Sequence, residues 1–403
     1  MQHKPKRRVV VPSFDEVVID YPFTEGQATN NISMNNILFD SKNPAGFGSE
    51  LVTNEIFTGT YVAGVAPDWS VDVGVVATES TNDIGGKAQR VSNMNGVGQG
   101  LQGTALSLTS GNIYVIEIDV KRISGTGNLQ LQVDGMNGMT GTYDIPSASI
   151  PTVGIINAKF YAVANSATST VTITADDTSL EVDIDAFLVK EVTGGNHMVM
   201  DFDLYDQGSR SSNSYDFNGI DEFFYIEDSR QDGLDFADKF TFATVVKPGA
   251  ITSAATVFSK RRRLPAGRSY TMHFINATLR TIRMITSSNG TLEQNYRHIQ
   301  GLTFPETKFR YICGNFNAGV GQFNVDDRNQ NLSYSAGPPL AVTSAFDSAT
   351  RVAIGASFGG LTPINAELFF LGEIGRMIVW KGAALSETER LQVFDLIRPS
   401  YGI

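Results

Sequence analysis

Apolar and polar residues alternate clearly from Glu50 to Val192. In Tyr114, Ile116, Ile118 and Val120 every second side chain is apolar, while Glu117, Asp119 and Lys121 fill the positions between. A period of two is the signature of a strand with one face in a core. The same alternation recurs in Leu129, Leu131 and Val133, in Val171 and Ile173, and in Val182, Ile184, Ala186 and Leu188. Turn-forming runs such as Thr109-Ser110-Gly111 and Gly125-Thr126-Gly127 separate these segments, so residues 48–193 read as a β-sandwich. Thr193-Gly194-Gly195-Asn196 interrupts the pattern with residues that tolerate turns and marks the best boundary.

A second β-rich unit is predicted over 196–403, with strands over Phe240–Val246, Tyr270–Ile275, Lys308–Cys313, Gly321–Val325, Val352–Gly355 and Glu373–Trp380. Near the C-terminus the period changes. Ser386 followed by Glu389 forms a capping box, and Leu391, Phe394 and Ile397 recur at helical spacing before Pro399. This predicts one short helix packed on a sandwich edge. Residues 1–47 show no sustained period and hold the basic cluster Lys4, Lys6, Arg7 and Arg8 and an Asn-rich tract. Such a segment orders only against a neighbour, and it reads as an assembly arm. The predicted class is therefore all-β: two tandem antiparallel jelly-roll sandwiches, an extended N-terminal arm and a short C-terminal helix.

Composition narrows the function. Among 403 residues only 18% are charged, and the net charge of -11 disfavours nucleic acid as a partner. Cys313 is the single cysteine, which excludes an intrachain disulfide and predicts a small buried hydrophobe. The opening MQHKPKRRVVVPSFDE has no apolar stretch of signal-peptide length, and no membrane span follows, so no membrane insertion is expected. If the modules act outside cells, release by host lysis within an assembled particle accounts for this better than secretion.

Two resemblances follow from ordered motifs. ELVTNEIF at Glu50 to Phe57, PDWSVDVG around Trp69, GGKAQRV at Gly85 to Val91, LSLTSGNIYVIEIDVK and IDAFLVKEV resemble, in order, the jelly-roll carbohydrate-binding modules found beside glycanases and in phage tail and virion proteins. From Tyr215 onward, YDFNGIDEFFYIEDS, FTFATVVKPG, FSK, FNVDD, VAIGASFGG and FFLGEIGRMIVWKGAALSETE are similar to laminin-G-like, concanavalin-type sandwiches. Where that family often has Asp-Gly at a hairpin tip, this chain has Asp326-Asp327-Arg328-Asn329, which implies a looser or remodelled turn. The resemblance also raises calcium, for which Asp326 with Asp327 or Asp221 with Glu222 offer oxygens; as adjacent turn acids they are expected to face water.

Catalytic chemistry finds little support. The Glu-x-Asp-x-x-Glu run of concanavalin-type glucanases is missing, and Glu373 reads as a strand start. His3, His197, His273 and His298 show no metal-ligand spacing. No enzyme activity, metal or cofactor is expected. Trp69 and Trp380 are sugar platforms by type, but their strand contexts make them core residues. The sharpest electrostatic feature is Lys260-Arg261-Arg262-Arg263 with Arg268 and the neighbouring Tyr270. These are candidates for gripping an acidic glycan or a partner, against the plainer reading of a solvated hairpin or intersubunit contact. Together these readings predict a virion structural protein of a bacteriophage, a tail fibre, spike or adhesion component that is homo-oligomeric, with a trimer favoured. Its partners would be other virion proteins and a bacterial surface polysaccharide. The alternative is capsid decoration or an adaptor that binds no glycan.

Overall fold

The computed structural model describes residues 17–21, 32–33, 37–38, 40–42, 45–81, 86–96, 99–137, 143–200, 209–210, 213–262, 267–274, 282–287, 289–291, 294–298, 304, 306–318, 320–330, 332–334, 345, 347–359 and 366–403. Among the described residues the strands form mainly antiparallel sheets, with one short C-terminal α-helix. In the first sandwich one sheet runs through Met136–Asn137, Ile156–Ala164, Ile113–Ser124, Glu181–Thr193, Lys87–Ser92 and Val76–Thr81. The facing sheet holds Tyr143–Pro146, Asn128–Val133, Val171–Ala175, Leu101–Gln102 and Ser70–Val71. Tyr114, Ile116, Ile118 and Val120 enter the core between them, together with Leu129, Leu131, Val171, Ile173 and Phe187. Trp69 belongs to this core: its ring lies 4.9 Å from that of Phe57, and its Nε1 donates to the Asn54 carbonyl at 3.3 Å.

In the second sandwich a nine-stranded sheet includes Phe224–Ile226, Val352–Ile354, Ala255–Arg261, Arg268–Phe274 and Ile282–Thr286. It faces a sheet built on Tyr215–Asn218, Leu371–Lys381, Lys239–Pro248, Arg310–Asn317 and Val320–Val325. Aromatic residues dominate the core between them. Phe236, Phe240, Phe258 and Tyr270 stack at centroid distances of 4.6 to 5.9 Å.

The helix Glu387–Ile397 starts with the predicted box: the Glu389 N–H donates to Ser386 Oγ at 3.4 Å, and the Ser386 N–H to Glu389 Oε2 at 2.7 Å. Its packing corrects the expectation, because Val393, Phe394 and Ile397 lie on the outer face of a sheet, over Val245, Tyr311, Cys313 and Trp380, rather than on an edge. Cys313 and Trp380 are buried there, as expected. Of the looser or remodelled turn expected at Asp326, the structure shows a remodelled one. Val325 pairs directly with Arg328, leaving a tight two-residue loop. Asp326 takes φ +52° and accepts from the Tyr311 N–H at 3.1 Å while pairing with Arg310. A short polar side chain tolerates that left-handed backbone without glycine.

The segment before residue 48 is built into the chain's own sheets where it is described. Val17–Tyr21 pairs with Leu371–Lys381, Ile32–Ser33 with Ile156–Ala164, and Ile37–Leu38 with Met198–Met200. Lys4, Lys6, Arg7 and Arg8 lie outside the described residues. The turn at Gly194 and Gly195 has φ of +81° and +48° and is pinned rather than loose. Asn196 exchanges hydrogen bonds with the backbone of Asp232, and Asp40 receives the Asn196 N–H while its own N–H donates to His197 Nδ1.

Where the two sandwiches meet, Ile113, Val115, Tyr161, Val163 and Val192 pack against Phe223, Tyr225, Ala353, Ala356 and Phe358. Arg230 reinforces the contact by donating to the Val192 carbonyl at 3.0 Å and pairing with Glu191 at 3.5 Å. Apolar burial with backbone hydrogen bonds on both sides holds two modules together more firmly than a linker alone.

Candidate functional site

Side chains directly opposite one another in an antiparallel pair share a face, so register alone maps the outer surface of the first sandwich's larger sheet. Because Tyr114, Ile116, Ile118 and Val120 point inward, their neighbours on Ile113–Ser124 point out. Val163, Ile113 and Val192 form one outer row, followed by Tyr161, Val115 and Lys190. The next rows are Lys159, Glu117 and Leu188, and then Asn157 and Asp119 beside Ala186. The last row crosses Lys121, Asp183, Arg90 and Thr78. One end of the face is thus apolar and covered by the second sandwich, and the other end is polar.

The polar end carries three separate sets of polar contacts. Arg90 donates to both oxygens of Asp183, at 2.8 and 2.9 Å, and to Ser80 Oγ at 3.2 Å. The Asn157 amide donates to Asp119 at 2.6 Å, and Lys159 lies 2.8 Å from Glu117. The register slips between Asp119 and Val120, leaving Asp185 as the extra residue of a bulge, a device that re-aims side chains. Burial pushes the Asp119 carboxyl above its ordinary range, with Asp185 and Glu117 adding to the rise and the Asn157 amide opposing it. Burial likewise raises the Tyr61 hydroxyl to about 12, helped by Glu79 and Asp185. Tyr61 sits on a loop held to the sheet by Gln89, whose carbonyl accepts the Ala66 N–H at 2.9 Å and whose amide donates to Gly64 and Thr78. Partly desolvated acids gathered on one face, bordered by an aromatic ring and two cations, form an array of hydrogen-bond acceptors and donors at fixed positions. Such an array can hold hydroxyl groups.

The basic run is split by strand parity. Lys260 and Tyr270 are register partners, and both are buried in the second sandwich. The Lys260 ammonium is fully enclosed; it pairs with Asp235 and with Asp228 at 3.1 Å and donates to Gln231 Oε1 at 2.7 Å. Tyr270 donates its hydroxyl to the Leu234 carbonyl at 3.1 Å and stacks among phenylalanines, so it is a core residue and not a surface contact. Arg261 and Arg268 face each other at the end of the hairpin, and the Arg262 N–H donates to the Gly267 carbonyl at 2.7 Å. These three arginines are half-buried, and Arg268 also donates to the Thr291 carbonyl at 2.9 Å. Arg263 lies outside the described residues.

Other candidates have structural roles. Glu373 lies in the strand Leu371–Lys381, where it pairs with Lys247 and accepts from Ser214 at 2.6 Å. His197 and His273 are buried and held below their ordinary range by burial, and His273 accepts from Arg283 Nε at 2.8 Å. Side chains of His3 and His298 are outside the described set. Among the described residues no group of three or more His, Cys, Asp or Glu side chains is arranged to hold a metal ion. No helix among them is long and apolar enough to cross a membrane.

The sequence matches no protein-family model and no curated protein. Parts of the chain are similar to solved structures. A xylan-binding domain from Paenibacillus barcinonensis is 14% identical, covers 36% of this chain and 96% of its own, and has a TM-score of 0.28. The tandem of two such domains from the same protein is 10% identical over 82% of this chain and 98% of its own, with a TM-score of 0.29. Domain 4 of an extracellular arabinanase from Geobacillus stearothermophilus, in complex with arabinotriose, is 13% identical over 49% and 82%, with a TM-score of 0.32. At these scores the similarity carries no inference about ligand or activity.

Proposed function

We propose that this chain is a non-catalytic adhesion component of a bacteriophage virion, with an arm over 1–47 and lectin-like modules over 48–193 and 196–403. The polar end of the first module's outer face meets a host surface glycan, and Arg261, Arg262 and Arg268 supply a second contact for acidic groups. The observation that carries this reading is the division of one sheet face: its apolar rows are consumed by the second sandwich, while the rows of Asp119, Asn157, Glu117, Lys159, Asp183 and Arg90 lie outside that contact. Fixed carboxylates, amides and cations suit a ligand whose hydroxyls both donate and accept. Weak individual sugar contacts become useful through repetition, which fits a homo-oligomer in an assembled particle. The virion setting is supported by the ordered sequence motifs of the first module.

The test joins binding to location. Retention of the full chain on host surface polysaccharide should fall about tenfold in an Asn157→Ala/Lys159→Ala double variant of unchanged circular dichroism, roughly 1.4 kcal/mol. Mass spectrometry of purified particles should find the chain. Equal retention by the variant overturns the site, and absence from particles overturns the setting. Silence on a glycan array together with a large contact to another virion protein selects the decoration or adaptor alternative.

A further inference from the structure

A cavity of about 290 Å³ opens at the junction, lined by Ser110, Gly111, Ala164 and Asn165 on one side and by Glu227, Ser229 and Arg351 on the other. Its two walls come from different sandwiches. On one side the tight turn before Ile113–Ser124 has Gly111 at φ +86°, and the Gly111 N–H donates to the Ala164 carbonyl at 2.7 Å. On the other, Glu227 caps the short 3-10 turn Asp228–Arg230 that holds Ser229, and Arg351 precedes the strand Val352–Ile354. The walls are fixed to each other because Glu191 accepts from Asn112 Nδ2 at 2.7 Å and also pairs with Arg230, the residue after Ser229.

The charges inside are balanced. Arg351 Nη2 lies 2.5 Å from Glu227 Oε1, and its guanidinium stacks 5.3 Å from the Tyr225 ring centroid. A charged ligand would lose its hydration and find no uncompensated counter-charge. A neutral molecule with vicinal hydroxyls meets what the walls present: a carboxylate that accepts, a guanidinium that donates, and two serines and an amide that do both. The volume falls just below the roughly 300–1,000 Å³ usual for ligand sites, and so suits one small molecule rather than a chain. We propose that this junction cavity binds a single neutral sugar unit and exists only while the two sandwiches are docked. It is separate from the outer-face rows, so either site can fail without the other.

Saturation-transfer NMR on the full chain tests it with methyl β-galactoside, methyl α-glucoside and N-acetylglucosamine, and with galacturonate and glucosamine as charged controls. At least one neutral probe should give transfer, Ser110→Trp or Ser229→Trp should abolish it from opposite walls, and Arg351→Lys should weaken it about tenfold. The Asn157→Ala/Lys159→Ala variant should leave it unchanged. Transfer to none of the neutral probes, preferential binding of a charged control, or a signal that survives both tryptophan variants overturns the proposal.

Discussion

Glu222 offers the sharpest test of the packing in the second sandwich. Contrary to the expectation that this turn acid faces water, its side chain is fully buried after Tyr215–Asn218, where one carboxylate oxygen accepts the Asn218 N–H at 2.7 Å and the other has no hydrogen-bond partner among the described residues. Burial is the main cause that pushes its carboxyl up from 4.5 to about 7; the Asn218 N–H opposes the rise, and Asp221 and Asp216 add to it. Between those two values the folded chain binds more protons than the unfolded chain, so stability falls as pH rises. The contribution is fully present below about pH 4.5, is lost through about pH 7 and is constant above. At about 1.4 kcal/mol for each pH unit, the loss is roughly 3 kcal/mol, or about 6–12 °C in Tm for a unit of this size.

Glu222→Gln has nearly the same shape and cannot ionise, so the difference between wild type and variant isolates this one group. Every other titration cancels. Trp380 lies in the second sandwich and Trp69 in the first, so fluorescence in a Trp69→Phe background reports on the second alone. The variant gains on wild type by roughly 3 kcal/mol between pH 4.5 and 7.5, whatever its absolute stability at either end. A difference that stays constant across that window refutes the reasoning, because the carboxyl would then be ionised in the folded protein at an ordinary pH.

Two further outcomes follow from the packing. Lys260→Met keeps the buried stem but removes an ammonium that is fully enclosed, while its partners Asp228 and Asp235 are about 40% exposed and can turn to water. The expected loss is therefore about 1–2 kcal/mol in chemical denaturation, below the roughly 3–5 kcal/mol for stranding a fully buried charge, and a more stable variant would show that the ion pairs contribute nothing. Gly111→Ala places a Cβ 2.9 Å from Ser229 Oγ at a backbone φ of +86°. It should cost about 1–3 kcal/mol and speed proteolysis at Thr193–Asn196, and unchanged cleavage would mean that the junction does not depend on this close approach.

The parts of this fold that were legible in the sequence are those fixed by neighbours along the chain. Strand alternation placed Tyr114 to Val120 in a core, and Ser386 with Glu389 started a helix, because period and capping depend on residues a few positions apart. The outer-face rows depend instead on register between segments such as Ile113–Ser124 and Glu181–Thr193, and a bulge at Asp185 shifts that register by one. No local pattern carries that information. The burial of Lys260 was hidden for a related reason: Lys260-Arg261-Arg262-Arg263 reads as one charged loop, yet its first member is still in the strand Ala255–Arg261 and its neutralising acids lie 25 and 32 positions away.

Parity could have corrected this reading. Tyr270 alternates with the apolar Met272 and Phe274, which marks it as inward-facing, and the hairpin makes Lys260 its partner across the ladder. An inward Lys in a sheet requires acids at the rim of the core, and Asp228 and Asp235 bracket Leu234, whose carbonyl accepts the Tyr270 hydroxyl. The same short segment thus satisfies both buried polar groups, a hydroxyl through its backbone and an ammonium through its side chains. The ammonium that the run of basic residues brings to this hairpin is thus neutralised inside the fold.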